Sequence, residues 1–318
     1  LSIYNKKTND LIINRPLDPS TGYTSTQTNI GLIENKGVEV DLSMDWFQSM
    51  DGLNWTTSLN WSTNDAIVID LGEDTDRIVY AGFGTLGNAA IPGESLGSII
   101  GSSITRYGGT IENSRWVGGG DPVVNNQGSY DETFDPSIIG DANPDWIANI
   151  SNTISYKNLS FNFLFNYQQG GDIFTYTVAT LLGRGLTTDT LDRELSFILP
   201  GVNSSGQPNT KMINNSTFYF SNVLYGPDEM LVYDASHWRL GEISLSYSLP
   251  KSLIESTPFG SISLTASGFN LAYNAWNTPE GTNFDPNIAG VGVGNGRGFD
   301  FLNGPSAKRY GGSIKLTF

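Results

Sequence analysis

Between Val38 and Trp46, apolar and polar residues alternate. Val38, Val40, Leu42, Met44 and Trp46 fall on one parity, and Glu39, Asp41, Ser43 and Asp45 on the other. An extended strand sends neighbouring side chains to opposite faces, so this period of two predicts a strand with one apolar and one polar face. Met50-Asp51-Gly52 is a turn signal, after which Leu53, Trp55, Thr57, Leu59 and Trp61 alternate with Asn54, Thr56, Ser58, Asn60 and Ser62. The pair reads as a hairpin. The same unit recurs from Trp146 to Tyr156, through Lys157-Asn158 and back along Leu159 to Tyr167, and again from Trp238 to Tyr247 with a return from Ser261 to Leu271. Lys308 to Phe318 closes the series, and Leu1 to Ile13 is a weaker strand. The expected strands lie near residues 1–13, 36–48, 52–62, 146–156, 159–169, 237–248, 260–271 and 308–318. That makes about eight, each near the ~9–11 residues that cross a bilayer at a tilt.

The connections sort the architectures. Those near 50, 157 and 250–259 are short, whereas 14–35, 63–145, 170–236 and 272–307 are long and rich in Gly, Asn, Asp and Pro. Nothing in a water-soluble sandwich forces short and long connections to alternate. An outer-membrane barrel alternates them by construction, with short periplasmic turns and long extracellular loops. Trp46, Trp61, Trp146, Tyr156, Tyr167 and Tyr247, near strand ends, suit its interfacial girdles. The alternative is a secreted or surface-exposed β-sandwich that binds carbohydrate. A self-contained barrel of eight strands is too narrow for connections as long as 63–145, so the pattern points to part of a wider barrel.

Composition then removes whole classes of chemistry. The chain has 318 residues, 17 Lys plus Arg against 32 Asp plus Glu, a formal charge of −15, no Cys and one His. A chain this acidic has no basic face for phosphates. Without Cys there is no disulfide scaffold or thiol catalysis, and one His rules out sites that need two. No apolar run reaches the ~20 residues of a membrane helix. Leu1-Ser-Ile-Tyr-Asn-Lys is neither a start nor a signal peptide, so the sequence reads as the interior of a longer protein.

Three blocks resemble a known family. Tyr4-Asn-Lys-Lys-Thr-Asn-Asp-Leu-Ile-Ile13 followed by Asn29-Ile-Gly-Leu-Ile-Glu-Asn-Lys-Gly-Val-Glu-Val40 is one. Ile139-Gly-Asp-Ala-Asn-Pro-Asp-Trp146 with Gln169-Gly-Gly-Asp172 is the second. Tyr233-Asp-Ala-Ser-His-Trp-Arg-Leu240, Ile243 to Lys251 and Gly268-Phe-Asn-Leu271 form the third, and the chain ends on the aromatic Phe318. In this order they resemble the SusC/RagA-type TonB-dependent transporters. The resemblance implies an all-β, antiparallel transmembrane β-barrel of roughly 22 strands, of which these are about the last eight. It also implies import of a glycan or peptide nutrient across the outer membrane of Bacteroidetes-type bacteria. The implied partners are a SusD-like surface lipoprotein acting as a lid and TonB, the latter through a plug domain that these residues do not contain. No enzyme activity and no cofactor are expected.

Few residues suggest chemistry. Asp70, Glu73, Asp74 and Asp76 gather beyond a strand, and oxygen ligands suit structural calcium. Their spacing lacks the alternate ligands of a calcium loop and fits a solvated loop better. Gly290, Gly292, Gly294, Gly296 and Gly298 alternate without a following helix, which reads as a mobile loop tip rather than a phosphate cradle. Asp234, Ser236 and His237 invite a triad, but neighbours on a strand face apart, which favours an interface role. Glu39, Asp41 and Asp45 are expected on a hydrated lumen wall. Trp116, Tyr130, Trp276 and Phe301, in long loops, are candidates for contact with a sugar ring or with a lid protein, or for packing among the loops.

Overall fold

The computed structural model describes residues 1–17, 20, 22–23, 25–29, 31–72, 75–288 and 296–318. Eight strands form one antiparallel sheet in which sequence neighbours are spatial neighbours. They are β1 (Ser2–Asn9), β2 (Leu32–Phe47), β3 (Leu53–Asp70), β4 (Trp146–Tyr156), β5 (Leu159–Gln169), β6 (His237–Ser248), β7 (Ser261–Asn274) and β8 (Arg309–Thr317). This is an up-and-down wall, and among the described residues it does not close on itself.

Register carries the alternation across strands. Leu42 pairs with Leu59, Leu59 with Ile150, Ile150 with Phe165 and Phe165 with Leu240, so one apolar stripe crosses five strands. Where β6 reaches Gly241 the pairing shifts by one residue between Leu164 and Phe165. That bulge keeps Trp238 and Leu240 on the same face as Ile243, Leu245 and Tyr247, because an extra residue reverses the parity that follows it. The apolar face is not covered by protein: Leu42 is 59% exposed, Trp46 53% and Ile314 68%. Aromatics close the stripe at both ends. Trp46, Trp55, Tyr156 and Tyr247 lie toward the short turns, and Trp61, Trp146, Tyr167 and Trp238 toward the long connections. The eight steps from Leu159 to Tyr167 span about 26 Å at a rise of ~3.3 Å. At a tilt of ~40° the height falls to about 20 Å, and the rings extend it toward the ~25 Å apolar band of an outer-membrane barrel.

The long connections are not loops. Correcting the expectation for 14–35, β2 begins at Leu32, and Ile12–Pro16 pairs with Ser25–Asn29 as a separate hairpin. Within 1–13, β1 stops at Asn9, because Asp10 turns the backbone at φ 54°. Within 63–145, β3 runs on to Asp70. The chain then forms a four-stranded antiparallel sheet in the order 132–141, 98–104, 86–90, 78–83. Within 170–236 and 272–307, Asp172–Thr175 pairs antiparallel with Val232–Asp234 and parallel with Phe299–Asp300.

These pieces pack into a body with its own core. Ile99, Ile173, Phe174, Val178, Ala179, Leu182, Val223, Leu224, Leu231, Phe284 and Phe299 are buried together there. Helix α1 (Tyr176–Gly183) buries Val178, Ala179 and Leu182 on one face, and the Thr175 hydroxyl caps it by accepting the Val178 N–H at 3.2 Å. Its first turn is held by buried Asp300, whose carboxylate accepts from the Thr175 hydroxyl at 2.8 Å and the Thr177 N–H at 3.1 Å. It ends where Gly185, at φ 74°, lets the Leu186 N–H reach Leu181 and the Gly185 N–H reach Leu182.

Candidate functional site

The face of the wall opposite the apolar stripe is mainly polar, interrupted by Leu164 and Phe269. On it, Asn60 donates to the Asp41 carboxylate at 2.5 Å, and Thr56 donates to Asp45 at 2.6 Å. The Ser43 and Ser58 hydroxyls meet at 3.3 Å, and those of Ser246 and Thr265 at 2.8 Å. Asn166 donates to Asn149 at 2.5 Å. Each bond joins strands paired in register, so the same alternation that makes the apolar stripe builds a ladder of amides, hydroxyls and carboxylates behind it. Glu39, Asp41 and Asp45 all lie on this face and are exposed. Polar residues interrupt the apolar face where Asn152 pairs with Thr57. Asn152 sits there, buried, accepting from the Trp55 indole N–H at 2.9 Å and from the Thr57 hydroxyl at 2.6 Å; Thr57 in turn accepts from Trp46 at 3.0 Å.

Body and wall are joined by a buried ion pair. Arg239, on the polar face of β6, donates to Asp285 and, at 3.1 Å, to Asn270; both charged side chains are almost fully enclosed. Asp285 also accepts the Asn287 N–H at 3.1 Å. Opposite charges this close hold the segment around residue 285 against the wall at a cost in desolvation, so losing one partner is worse than never having had the pair. A second junction is covalent. Gly170 and Gly171, at φ 72° and 79°, turn the chain from β5 into the body, and the Gly170 N–H donates to the Ser236 hydroxyl at 2.7 Å. At this turn Asp172 accepts the Asp141 N–H at 2.8 Å. Burial, reinforced by the negative charges of Asp234, Asp141 and Asp145, pushes its carboxyl above the usual range. Asp228 and Glu229 work in the same manner: their carboxylates accept the Ser102 and Ile104 N–H groups at 3.0 and 2.9 Å, and Glu229 pairs with Arg106 at 2.6 Å.

The aromatic candidates separate. Phe301 is packed among Phe174, Phe299 and Phe83, with ring centres 5.6, 6.1 and 4.9 Å away. Trp116 donates its indole N–H to Ser103 at 3.0 Å, and Tyr130 packs on the buried cluster of Val124, Leu199 and Ile213. Trp276 is 40% exposed and lies against Tyr167. It lines an open cleft of about 800 Å³ with Tyr273, Asn274, Thr278, Glu280, Asn283 and Lys308. The structure therefore does not gather the four into one place.

The remaining candidates disperse too. Asp70 ends β3 and Asp76 lies on a bend, while Glu73 and Asp74 lie outside the described residues. Among the described residues no three His, Cys, Asp or Glu side chains are grouped to hold a metal ion. Gly290, Gly292 and Gly294 also lie outside them. Gly298 is no mobile tip: its carbonyl accepts the Phe174 N–H at 2.8 Å, and a side chain there would strike Ala142 and Asp172. Asp234 accepts the Ser236 N–H, the Ser236 hydroxyl accepts from Gly170, and buried His237 bonds Nδ1 to the Ala235 carbonyl at 2.8 Å. No nucleophile–base contact forms among them. Sequence reading missed the Arg239–Asp285 pair, because 46 residues separate the partners and nothing in the sequence around Asp285 points back to Arg239. Among the described residues no helix is long and apolar enough to cross a membrane.

Comparison with known proteins follows the same lines. Over its whole length the chain is 28% identical to the TonB-dependent receptor P26 of Formosa agariphila, matching 32% of that protein. Over 84% of its length it is 29% identical to the TonB-dependent receptor P3 of the same bacterium, matching 27% of it. No family model matches. Among solved structures, 99% of the chain superposes on 33% of a chain of the RagAB peptide transporter, with a TM-score of 0.65 and 20% identity. For the RagAB peptide importer in its closed-closed state the TM-score is 0.64. The chain spans about a third of the length of the relatives it matches.

Proposed function

We propose, taking the chain as a segment of a SusC/RagA-type TonB-dependent transporter, that its eight strands are the last of a barrel that imports a glycan or peptide nutrient across the outer membrane. The observation that carries this reading is the two-faced wall, with an uncovered apolar face bounded by aromatics and a self-bonded polar face behind it. A surface against lipid accounts for such an apolar face, and a hydrated lumen for such a polar one. In this reading Glu39, Asp41 and Asp45 face the passing solute. The body stands on the extracellular side, where Trp276 is the exposed aromatic best placed to meet ligand or lid, and Trp116, Tyr130 and Phe301 hold the body together. A SusD-like lipoprotein covers the body, and TonB acts through a plug outside this chain. No covalent step and no cofactor enter the mechanism. Deleting the gene for the whole protein and supplying peptides or glycans as the only nutrient tests it: loss of growth on one class, with the protein in the outer-membrane fraction, is expected. A protein found in the soluble fraction, or unchanged uptake of both classes, defeats the reading and favours a secreted sandwich.

A further inference from the structure

The end of α1 forms a second, smaller cleft, of about 260 Å³, lined by Leu182, Gly183, Arg184, Gly185, Thr190, Arg193, Ser216 and Tyr219. Its charge is out of keeping with the chain. Cations are outnumbered 17 to 32 overall, yet two arginines line this cleft and no carboxylate does. Among the described residues neither has an acidic partner; the ion pairs there are those of Lys7, Lys36, Arg106, Arg115 and Arg239.

Arg184 and Arg193 are both exposed and keep most donors free. Arg193 lies over Gly185, where a Cβ would meet Nη2 at 2.8 Å, so the residue that ends the helix also makes room for the guanidinium. Its one side-chain bond is a long one, 3.5 Å to the Gly185 carbonyl. Arg184 donates to the Tyr225 hydroxyl at 3.1 Å and lies over the Phe220 ring at 5.8 Å. Five N–H groups per guanidinium leave most donors open. A purely structural arginine at a helix end needs a carbonyl and nothing more; two lining one cleft with Thr190, Ser216 and Tyr219 suit an anion.

We propose that this cleft binds a carboxylate group. The planar guanidinium fork matches a carboxylate with two parallel bonds. The volume lies below the ~300–1,000 Å³ of pockets that enclose whole small molecules, so it takes one acidic end group of something larger. As a place for cargo it rests on the transporter reading, with a peptide's terminal carboxylate or an acidic sugar as the two sources; as a site it does not.

The test uses the full-length protein purified in detergent, with 4-bromobenzoate and its neutral amide as probes. Bromine anomalous density from 4-bromobenzoate is expected between Arg184 and Arg193, with none from 4-bromobenzamide. Arg193→Met weakens benzoate binding about tenfold in titration calorimetry, and Arg193→Lys restores part of it. Trialanine and digalacturonate, each against its amide or methyl ester, identify the source: displacement by the free acid alone is the expected result. Equal binding of both bromo compounds, no density from either, an unchanged Arg193→Met variant or equal displacement by the neutral forms overturns the proposal. Binding of the probe alongside normal growth of the deletion strain defeats the transporter reading and leaves the site standing.

Discussion

The wall and the body solve opposite packing problems with one chain. In the wall, large apolar side chains such as Leu42, Trp46 and Ile314 stand exposed while polar ones bond to each other across strands. In the body, Phe174, Phe299, Ile99 and Val178 are all but sealed, and buried polar groups such as Asn222, Ser137 and Asp300 are bonded inside. On the transporter reading, the wall's apolar surface is stabilised by a solvent that is itself apolar, so its side chains need only point outward. The body sits in water and gains from burial in the ordinary way. The same substitution should therefore have different consequences in the two regions.

The largest effect is expected in the body. Phe174→Ala removes a ring that stacks on Phe299 and Phe301 and should cost about 3–5 kcal/mol. Hydrogen exchange should show lost protection in residues 172–183 with β2–β5 unchanged. Protection lost equally in the wall would merge the two regions into one cooperative unit. Next comes the wall. Leu42→Arg places a charge between the aromatic rows and should cost about 2–4 kcal/mol in lipid, whereas Ser43→Arg, one residue on and facing the other way, should cost no more than about 1. Urea unfolding in vesicles measures both, and equal costs would refute the assignment of faces. Asn152→Leu sharpens the comparison further. In lipid a leucine there would gain by its apolar surface, but it leaves the Trp55 indole and the Thr57 hydroxyl without their acceptor, at about 1–3 kcal/mol. A stabilised variant in the same urea assay would show that the network is dispensable.

The smallest effect is a pH dependence confined to the body. Burial is the main cause of the raised Asp172 carboxyl. A group whose folded value lies above its unfolded one contributes stability that is full below the ordinary aspartate range and is lost as pH rises through the folded value. Asp172→Asn should remove that loss while its side-chain oxygen still accepts the Asp141 N–H. Exchange in residues 172–183 should be slower in the variant near neutral pH, with the gap closing near pH ~4. A gap of constant size would deny the titration any part.

The two regions also differ in how plainly they can be read from sequence. Over the apolar stripe, two unlike faces impose near-regular alternation, so β4 to β6 are legible apart from Asn152, Leu164 and the bulge at Gly241. Beyond that stripe the demand lapses. Asn64-Asp65 on β3 and Asn35-Lys36-Gly37 on β2 remain paired as strand though they no longer alternate, which hides the true ends of both strands. The body is harder still. Its core draws Ile99, Phe174, Leu224, Phe284 and Phe299 from separate segments, and each contributes too few residues to show a period. Trp116 and Phe301 look available in a Gly- and Asn-rich stretch because nothing nearby in sequence reveals the ring or hydroxyl they pack against. Arg184 and Arg193 escape notice for the same reason, since only the turn at Gly185 brings them to one cleft.

The cross-strand bonds of the polar face set a limit on grip. Asp41, Asp45, Asn149 and Ser246 are already engaged by their neighbours, so a solute moving along them would have to displace a bond to gain one. Such a surface exchanges partners nearly isoenergetically and offers no deep well along the way. If the proposed transporter reading holds, the contribution of this face to transit is low friction, and a solute would be retained by other parts of the molecule.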